Sequence, residues 1–321
     1  MKTALVCGAG GFIGGHLVRR LKREGFNVRG VDRTLPEFAE SEADDFVLGD
    51  LRDPIFCKDV IAQPFDEVYQ LAAEIGGAEF TYVGVNDLNI LLSSTQININ
   101  VLQACQRSSV RRVFFSSSAC IYPEHNQLNS LEPNCAEATA YPAEPDSEYG
   151  WEKLFSERLF AALGRSSDIA TRIARYHNIF GPEGTWKGGR EKAPAALCRK
   201  IAMARDGDTI DIIGDGKQSR SFLYISEGLE GTLRLMRSGV SEPINIGSEE
   251  LVTINQLADL IMDIAGKRLI KNHIAGPVGV RGRNSNNRMI KQRLGWAPSA
   301  SLRDGLERTY KWIEQQVRAA A

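Results

Sequence analysis

The sequence lacks the cysteine and histidine spacing that builds a metal centre or a disulfide framework. Its 321 residues contain six cysteines and four histidines, and neither type forms a paired motif. The cysteines are Cys7, Cys57, Cys105, Cys120, Cys135 and Cys198. A scattered cysteine usually serves as a small apolar residue in the core, so most of these thiols are expected only to pack. The sequence therefore predicts no metal site and no disulfide.

The chain also lacks long apolar runs and an excess of charge of either sign. No stretch approaches the ~18 apolar residues that span a bilayer, and the N-terminal strand reaches a glycine turn too soon for a signal peptide. Lys and Arg number 39 and Asp and Glu number 40, which gives a net charge of -1. This balance provides no broad basic surface for nucleic acid. We expect a cytoplasmic protein that binds neither a membrane nor nucleic acid.

What the chain contains is a regular alternation of β-rich runs and helical stretches over residues 4–175. This alternation predicts an α/β fold with a doubly wound parallel sheet of the Rossmann type. Later loops, richer in glycine, proline and charge, indicate a smaller C-terminal α/β lobe that binds substrate. Residues 220–226 and 244–247 are predicted to be strands that return to the first lobe. The predicted cofactor domain is therefore residues 1–175 plus about 221–250, and the substrate domain is about 176–220 plus 251–321.

A glycine-rich turn between the first strand and the first helix is the main cofactor signal. Gly8, Gly11 and Gly14 let the backbone approach a pyrophosphate, and the helix N-terminus supplies amide donors. Asp32 ends the next strand, about 20 residues on, where a carboxylate binds both ribose hydroxyls and repels a 2′-phosphate. The pattern predicts NAD rather than NADP, with Arg33 as a neighbour that softens the preference. The alternative is a tight turn beside an exposed acid. The other predicted cofactor residues are Phe12, Ile13, Asp50, Leu51, Leu71, Ala72 and Ala73, with Tyr149 and Lys153.

Tyr149 and Lys153 are the main catalytic signal, because residues four apart lie on one face of a helix. The ammonium is expected to lower the pKa of the phenol from its reference of ~10, so that Tyr149 takes a hydroxyl proton while hydride leaves. Taken alone, the two could be a surface pair on an amphipathic helix. With the glycine turn, and with Ser118 near the end of an apolar strand, they resemble the serine, tyrosine and lysine set of the extended short-chain dehydrogenase/reductase family. This resemblance covers essentially the whole chain.

The resemblance implies a role for each of the three residues. Tyr149 would remove the proton of a sugar hydroxyl, Lys153 would hold the nicotinamide ribose and tune Tyr149, and Ser118 would bond the reacting oxygen. Three loops are similar to those of family members that epimerise a GDP-hexose at carbons 3 and 5. They are residues 117–123, 184–194 and 279–285. The implied enzyme is an isomerase with tightly bound NAD that converts GDP-mannose to GDP-L-galactose through a 4-keto intermediate.

Inversion of a sugar carbon requires two further groups beside the redox pair. A ketone at carbon 4 acidifies the hydrogens on carbons 3 and 5, and inversion removes a proton from one face and delivers one to the other. A thiol near a cation loses its proton readily, so Cys120 is the predicted base, although alone it could be a buried strand-end residue. The resemblance assigns the acid to Lys192, with Lys187 as a competitor in the same loop.

The remaining basic residues suit a nucleotide diphosphate. Arginine binds such groups through paired hydrogen bonds, which favours Arg220 and Arg283. The alternative for each is a surface residue on a flexible loop. His177 is left out, because a histidine at a strand end is more often structural. The predicted substrate residues are Gly76, Ser118, Ala119, Cys120, Asn178, Glu191, Lys192, Ala193, Lys200, Gln218, Ser219, Arg220 and Arg283.

Two other functions stay open at this point. One is a different nucleotide-sugar epimerase or dehydratase, acting by 4-epimerisation or on a GDP-heptose. The other is a non-catalytic, NAD-binding regulatory protein, although such proteins often lose the tyrosine or lysine that this chain retains. A homodimer is expected, with helices at residues 87–108 and 149–163 pairing across a two-fold axis as in many family members.

Overall fold

The computed structural model describes residues 1–320. The first half of the chain contains β1 (Thr3–Cys7), α1 (Phe12–Arg23), β2 (Asn27–Asp32), β3 (Asp45–Leu48), α2 (Pro54–Val60), β4 (Glu67–Gln70), α3 (Ala78–Tyr82), α4 (Asp87–Gln106), β5 (Arg112–Ser118), α5 (Glu148–Ser166) and β6 (Ala170–Tyr176). The second half contains β7 (Ile179–Phe180), α6 (Ala193–Met203), β8 (Thr209–Ile213), β9 (Ser219–Ser221), β10 (Leu223–Tyr224), α7 (Ile225–Met236), β11 (Ile244–Ile246), β12 (Leu251–Thr253), α8 (Ile254–Ala265), β13 (Ile270–Ile274), β14 (Gly282–Arg283), α9 (Arg288–Leu294) and α10 (Leu302–Ala320).

A seven-stranded parallel sheet forms the centre of the molecule, in the order β11-β6-β5-β4-β1-β2-β3. The predicted doubly wound α/β fold is therefore confirmed. Helices α1 and α7 pack on one face, where Leu17 and Leu233 are buried. Helices α2, α4 and α5 cover the other face, where Val101 and Phe160 are buried. Strand order reverses between β1 and β4, and such a reversal opens a ligand crevice at the carboxyl ends of the strands.

The second lobe has its own apolar core between α6, α8 and α10. Leu197, Leu257 and Leu306 meet there with almost no exposed surface. Two small sheets flank these helices: β8 pairs with β13, and β9 lies between β12 and β14. Because the helices bury each other's apolar faces, this lobe is stabilised separately from the main sheet.

Residues 220–226 correct one prediction, because they do not form a strand of the main sheet. Ser219–Ser221 pairs within the small sheet of the second lobe, Leu223–Tyr224 pairs with β7, and α7 begins at Ile225. Phe222 is buried in the core of the second lobe, and its neighbour Leu223 is buried in the core of the first. The segment therefore crosses between lobes. The strand predicted near residues 244–247 does form, as edge strand β11, and the domain boundaries stay a prediction.

Candidate active site

A cavity of about 930 Å³ opens where the carboxyl ends of the central strands face the second lobe. Every predicted cofactor residue lines it, and so does every predicted substrate residue except one. Ser219 is the exception, since its side chain is buried and its hydroxyl donates to the carbonyl oxygen of Ser130. The fold thus gathers residues that are separated by up to 275 positions in the sequence, from Gly8 to Arg283.

The glycine turn has the close backbone approach that a dinucleotide phosphate requires. Gly8 adopts φ +87°, and a Cβ built at Gly14 would lie 2.0 Å from the carbonyl oxygen of Gly8. Gly11 begins α1, and none of residues 1–320 provides a side-chain cap for this helix. The first amides of α1 are thus available to an anion.

Asp32 is held at the end of β2 by backbone amides. Its carboxylate accepts hydrogen bonds from Gly10 N at 3.0 Å and from Thr34 N at 3.2 Å. Arg33 turns toward Glu74, at 3.4 Å, rather than toward Asp32. A fixed carboxylate beside the glycine turn fits the ribose of NAD, and the adjacent arginine is engaged elsewhere.

Tyr149 and Lys153 lie on one buried face of α5, as their spacing predicts. The Lys153 ammonium donates to the carbonyl oxygen of Ser116 at 3.1 Å and lies 5.6 Å from the centre of the Tyr149 ring. Burial raises the pKa of Tyr149 well above its usual value, with Cys120 and Glu152 adding to the shift. Burial of the phenol therefore opposes the lowering of this pKa that we expect from Lys153, and that lowering stays a prediction.

A buried polar network lies next to Tyr149 and Lys153, and nothing in the spacing of its residues along the sequence predicts it. Gln70 donates to Asn98 at 2.8 Å, and Asn98 donates to Glu152 at 2.9 Å and to Ser156 at 3.0 Å. The other carboxylate oxygen of Glu152 lies 4.0 Å from the Lys153 ammonium. Burial lowers the pKa of Lys153, and Glu152 is the largest influence that opposes this shift. The network supports the ammonium from the side away from the cavity.

Cys120 lies at the wall of the cavity, in the short 3-10 turn Ala119–Ile121 that follows β5. Its backbone N–H donates to the Ser118 hydroxyl at 3.2 Å. Its sulfur accepts a hydrogen bond from Arg283 Nη1 at 3.0 Å. Arg283 is only 3% exposed. This arginine was predicted to bind the diphosphate, and it lies against the predicted base Cys120 instead. This guanidinium is positioned to stabilise negative charge on the sulfur.

Lys192 comes immediately before α6 and extends into the same cavity. The side chain is exposed to the cavity, yet the protein that surrounds it lowers its pKa, and Cys120 is the influence that opposes this shift. The competitor Lys187 lies over the Trp186 ring, 5.0 Å from its centre. The Glu191 carboxylate is engaged by Arg199 at 2.7 Å. Lys192, rather than Lys187, therefore feels the charge of the predicted base.

Arg220 is a second cation in the cavity. It donates to the carbonyl oxygens of Ser219 at 2.8 Å and Val278 at 3.0 Å, and no carboxylate in residues 1–320 lies within ion-pair distance of it. Burial and the neighbouring Arg283 lower the pKa of Arg220 to about 10. A partly buried arginine without a counter-ion is suited to bind an anionic ligand. Asn178, Lys200 and Gln218 line the cavity as well.

Two loops that were not predicted to meet touch over the cavity. The Glu74 carboxylate forms an ion pair with the Arg190 guanidinium at 2.9 Å. The guanidinium carbon of Arg190 also lies 4.2 Å from the centre of the Phe80 ring. A Cβ built at Gly77 would lie 2.4 Å from the carbonyl oxygen of Glu191. The pair Gly76-Gly77 was a usable signal for such a close approach.

Other functional residues were missed as well. Asp146, Tyr82 and Gln127 surround Arg283, and their separation in the sequence gave no signal. His177 is fully buried beside Asn245, and burial lowers its pKa to about 3, in keeping with a structural role.

Within residues 1–320 no group of three or more His, Cys, Asp or Glu side chains is arranged to hold a metal ion. No helix there combines the length and the apolar character needed to cross a bilayer.

Comparison with known proteins identifies the family. Residues 4–247 match the NAD dependent epimerase/dehydratase family. The chain is 46% identical over 314 residues to the GDP-mannose 3,5-epimerase of Arabidopsis thaliana, covering 97% of this chain and 82% of that protein. The solved UDP-glucuronic acid 4-epimerase of Bacillus cereus, in complex with UDP-glucuronic acid and NAD, is 25% identical, with a TM-score of 0.80 over 98% of this chain and 99% of that one. The UDP-glucose 4-epimerase of Thermotoga maritima shares the fold, with a TM-score of 0.85 at 24% identity over 98% of this chain and 99% of that one. The chain belongs to the NAD-dependent epimerase/dehydratase family.

Proposed function

We propose that the protein is an isomerase that uses tightly bound NAD to epimerise a GDP-hexose at carbons 3 and 5, converting GDP-mannose to GDP-L-galactose. The observation that carries this proposal is the presence of Cys120 and Lys192 in the same cavity as Tyr149 and Lys153. A simple dehydrogenase or 4-epimerase needs only the latter pair. The relative from Arabidopsis thaliana, a GDP-mannose 3,5-epimerase, supports the same reaction.

The redox half uses Tyr149, Lys153 and Ser118. Bound NAD would accept the hydride from carbon 4 of the sugar and later return it, so the overall reaction has no net redox change. Tyr149 takes the hydroxyl proton from the oxygen on carbon 4, and Ser118 bonds that oxygen. Because burial raises the pKa of the Tyr149 phenol, its ionised form is a strong base once formed. The Lys153 ammonium is the nearby protein cation that offsets its charge.

The inversion half uses Cys120 and Lys192. The ketone at carbon 4 stabilises a carbanion at carbon 3 or 5 as an enolate, so the carbon–hydrogen bond breaks and its proton moves to the sulfur. Lys192 then delivers a proton to the opposite face of that carbon. The lowered pKa of Lys192 suits an acid, because a weaker hold on the proton favours its delivery near neutral pH.

The diphosphate is the natural ligand for Arg220, whose charge has no counter-ion among the described side chains. Lys200, Gln218 and Asn178 line the same cavity and would complete the nucleotide site. Arg283 already donates a hydrogen bond to the Cys120 sulfur in the free protein, so its contribution to diphosphate binding would be secondary.

The deciding experiment is turnover of GDP-mannose in deuterated water. We expect deuterium at carbons 3 and 5 of the product, read by mass spectrometry and NMR. A 4-epimerase would yield product without solvent label, and a dehydratase would yield a product lighter by one water. An NAD-binding regulatory protein would bind the cofactor and turn nothing over. A product without label at carbons 3 and 5 would falsify the proposed mechanism.

The choice of substrate is tested separately by thermal unfolding of the NAD-loaded protein. A ligand that binds only the folded state raises the melting temperature, and at equal concentration the tighter ligand raises it more. We expect GDP-mannose to stabilise the protein more than UDP-glucose, UDP-glucuronic acid or a GDP-heptose at equal concentration. A larger shift with one of the others would redirect the assignment to that sugar.

We also propose a homodimer built from α4 and α5. Leu88 and Leu92 on α4, and Trp151 and Phe155 on α5, are large apolar side chains that are 43% to 69% exposed. The two helices pack side by side, so these residues form one apolar surface that a second copy would cover. Replacing Leu92 with Asp should yield a monomer by analytical ultracentrifugation, whereas Leu35→Asp, at another exposed leucine, should not.

We further propose that the protein works in the cytoplasm. All six cysteines are free thiols, which persist in a reducing compartment. Detection of the protein in a membrane or secreted fraction of its source cells would contradict this.

A further inference from the structure

Asp146 joins two side chains beside the predicted base. One of its carboxylate oxygens accepts hydrogen bonds from Arg283 Nη2 at 3.1 Å and from the Tyr82 hydroxyl at 2.9 Å. The Asp146 and Arg283 side chains are only 5% and 4% exposed. The carboxylate therefore neutralises a buried guanidinium and fixes a phenol with the same atom.

Arg283 is held by three acceptors that leave it one orientation. Nε donates to Gln127 at 2.6 Å, Nη2 donates to Asp146, and Nη1 donates to the Cys120 sulfur at 3.0 Å. Gln127 is itself fixed, because its amide donates to the carbonyl oxygen of Tyr122 at 2.9 Å. A guanidinium is a rigid fork, so two fixed oxygens determine where the third donor is directed. The contact with the sulfur thus depends on Asp146.

Tyr82 connects this group to the wall of the cavity. It is the last residue of α3 and lines the cavity, and a Cβ built at Gly279 would lie 3.1 Å from its ring. Gly279 has φ +62° in the loop that leads to Arg283. Three separate segments therefore meet at Asp146: the end of α3, the turn before α5, and β14.

We propose that Asp146 is a positioning residue, which directs Arg283 at the sulfur of Cys120 and holds Tyr82 at the adjacent wall of the sugar site. This inference rests on the proposed function, in which Cys120 removes the proton from the carbon next to the ketone. In that step the carbon–hydrogen bond breaks, its electron pair becomes the enolate, and the sulfur gains the proton. Arg283 donates to the sulfur that takes this proton, so the Asp146 contact determines whether a guanidinium is held against the reacting atom.

The first test needs no sugar and measures alkylation of Cys120 by iodoacetamide in the NAD-loaded enzyme, with the modified residue identified by mass spectrometry. Asp146→Ala removes the oxygen that orients Arg283. We expect Cys120 to react ~10-fold more slowly at neutral pH than in the wild type, because Arg283 is no longer directed at the sulfur. A faster reaction would mean that the carboxylate acts only through its charge, and would overturn the proposal. Asp146→Glu, which restores a carboxylate, should recover part of the rate. The matched control is Asp263→Ala, which removes an aspartate paired with Arg303 on the surface and should leave the rate unchanged.

The second test follows solvent deuterium exchange into the sugar as a function of pH. In Asp146→Ala the acid side of the exchange profile should move to higher pH, while reduction of the bound nicotinamide on mixing with sugar stays within about 2-fold of wild type. A purely structural role would reduce both steps together, and that result would overturn the proposal. Tyr82→Phe keeps the ion pair and should slow exchange by ~3-fold, the loss expected for one hydrogen bond.

The outcomes separate this inference from the proposed function. Absence of label in the wild-type product would reject the proposed function, while the alkylation rates would still report on Asp146. A wild-type or faster alkylation rate in whichever of Asp146→Ala and Asp146→Leu folds, judged by its melting temperature, would overturn the positioning role.

Discussion

The redox half and the inversion half of the cavity are built in different ways. Tyr149 and Lys153 lie on one helix, and the polar network behind them belongs to the elements of the central sheet. Cys120, Lys192 and Arg283 come from three distant segments, and two of these segments belong to the second lobe or its loops. The first half is therefore a property of one packed domain, whereas the second exists only when both lobes and their loops meet.

This difference explains how one cavity could carry two kinds of chemistry. In the proposed mechanism the helix pair provides the oxidation, and the loops add the groups that act on the carbons beside the ketone. Loops tolerate changes that a packed sheet does not, so new chemistry accumulates on them. The comparison would fail if the two halves could not be inactivated separately.

The largest expected effect is that of Tyr149→Phe. Removing the hydroxyl eliminates the base for the first step, and turnover should fall by about 1,000-fold or more. No reduced nicotinamide should appear when sugar is added, measured by absorbance, and no solvent label should enter the sugar. Persistent exchange in this variant would mean that inversion does not depend on the ketone.

Cys120→Ser should separate the halves. A hydroxyl is a far weaker base than a thiolate, so exchange of solvent deuterium should fall by ~100-fold or more. Reduced nicotinamide should still appear on mixing with sugar, because Tyr149 and Lys153 are intact. If Cys120→Ser loses nicotinamide reduction as fully as Tyr149→Phe does, the redox half and the inversion half cannot be inactivated separately.

Gly77→Ala should damage only the half that depends on the loops. Its new Cβ would lie 2.4 Å from the Glu191 carbonyl oxygen, next to Lys192, so the loops must separate. We expect the rate of solvent deuterium exchange into the sugar to fall by ~10-fold, while the variant keeps its NAD through purification. Gly239→Ala is the matched control, since a Cβ there meets nothing within 4 Å, and its exchange rate should equal the wild-type value.

The pH dependence should carry the signature of Lys192. An acid must be protonated to act, and the protein that surrounds this lysine lowers its pKa below its ordinary value by excluding water. Exchange should therefore decline with rising pH, beginning below the ~10.4 of a free lysine. The alkaline decline should disappear from the residual activity of Lys192→Ala, and its persistence there would assign it to another group.

The smallest effect is expected for Lys187→Ala. This lysine lies over Trp186, and loss of a cation–π contact worth about 0.5 kcal/mol should change turnover by no more than about 2-fold. Lys192→Ala is the paired variant, in which exchange should be nearly abolished. A large loss of turnover in Lys187→Ala would assign the role of the acid to Lys187 instead of Lys192.

The parts that the sequence could predict are those set by local spacing. Gly8, Gly14 and Asp32 follow from the strand, turn, helix and strand pattern, and Tyr149 and Lys153 follow from a helical turn. Seven parallel strands and their flanking helices follow from the alternation of patterns. These features depend on neighbours within about 30 residues, where periodicity carries information.

The parts that it could not predict depend on contacts between distant residues. Residues 220–226 were predicted to be a strand, yet Phe222 and Leu223 are buried in different cores, which only the packing of the two lobes determines. Asp146 and Gln127 carry no motif, and they matter because β14 brings Arg283 to them. The rise in the pKa of Tyr149 was missed because burial is a property of the whole fold.

Gly150 has an evolutionary consequence. A Cβ at this position would lie 2.3 Å from the carbonyl oxygen of Cys120, so the lack of a side chain lets the helix backbone rest on the turn that carries the thiol. Position 120 is thereby held in register with Tyr149 by main-chain atoms, whatever side chain it bears. A lineage could replace that side chain, and with it the second reaction, without rebuilding the site around the first.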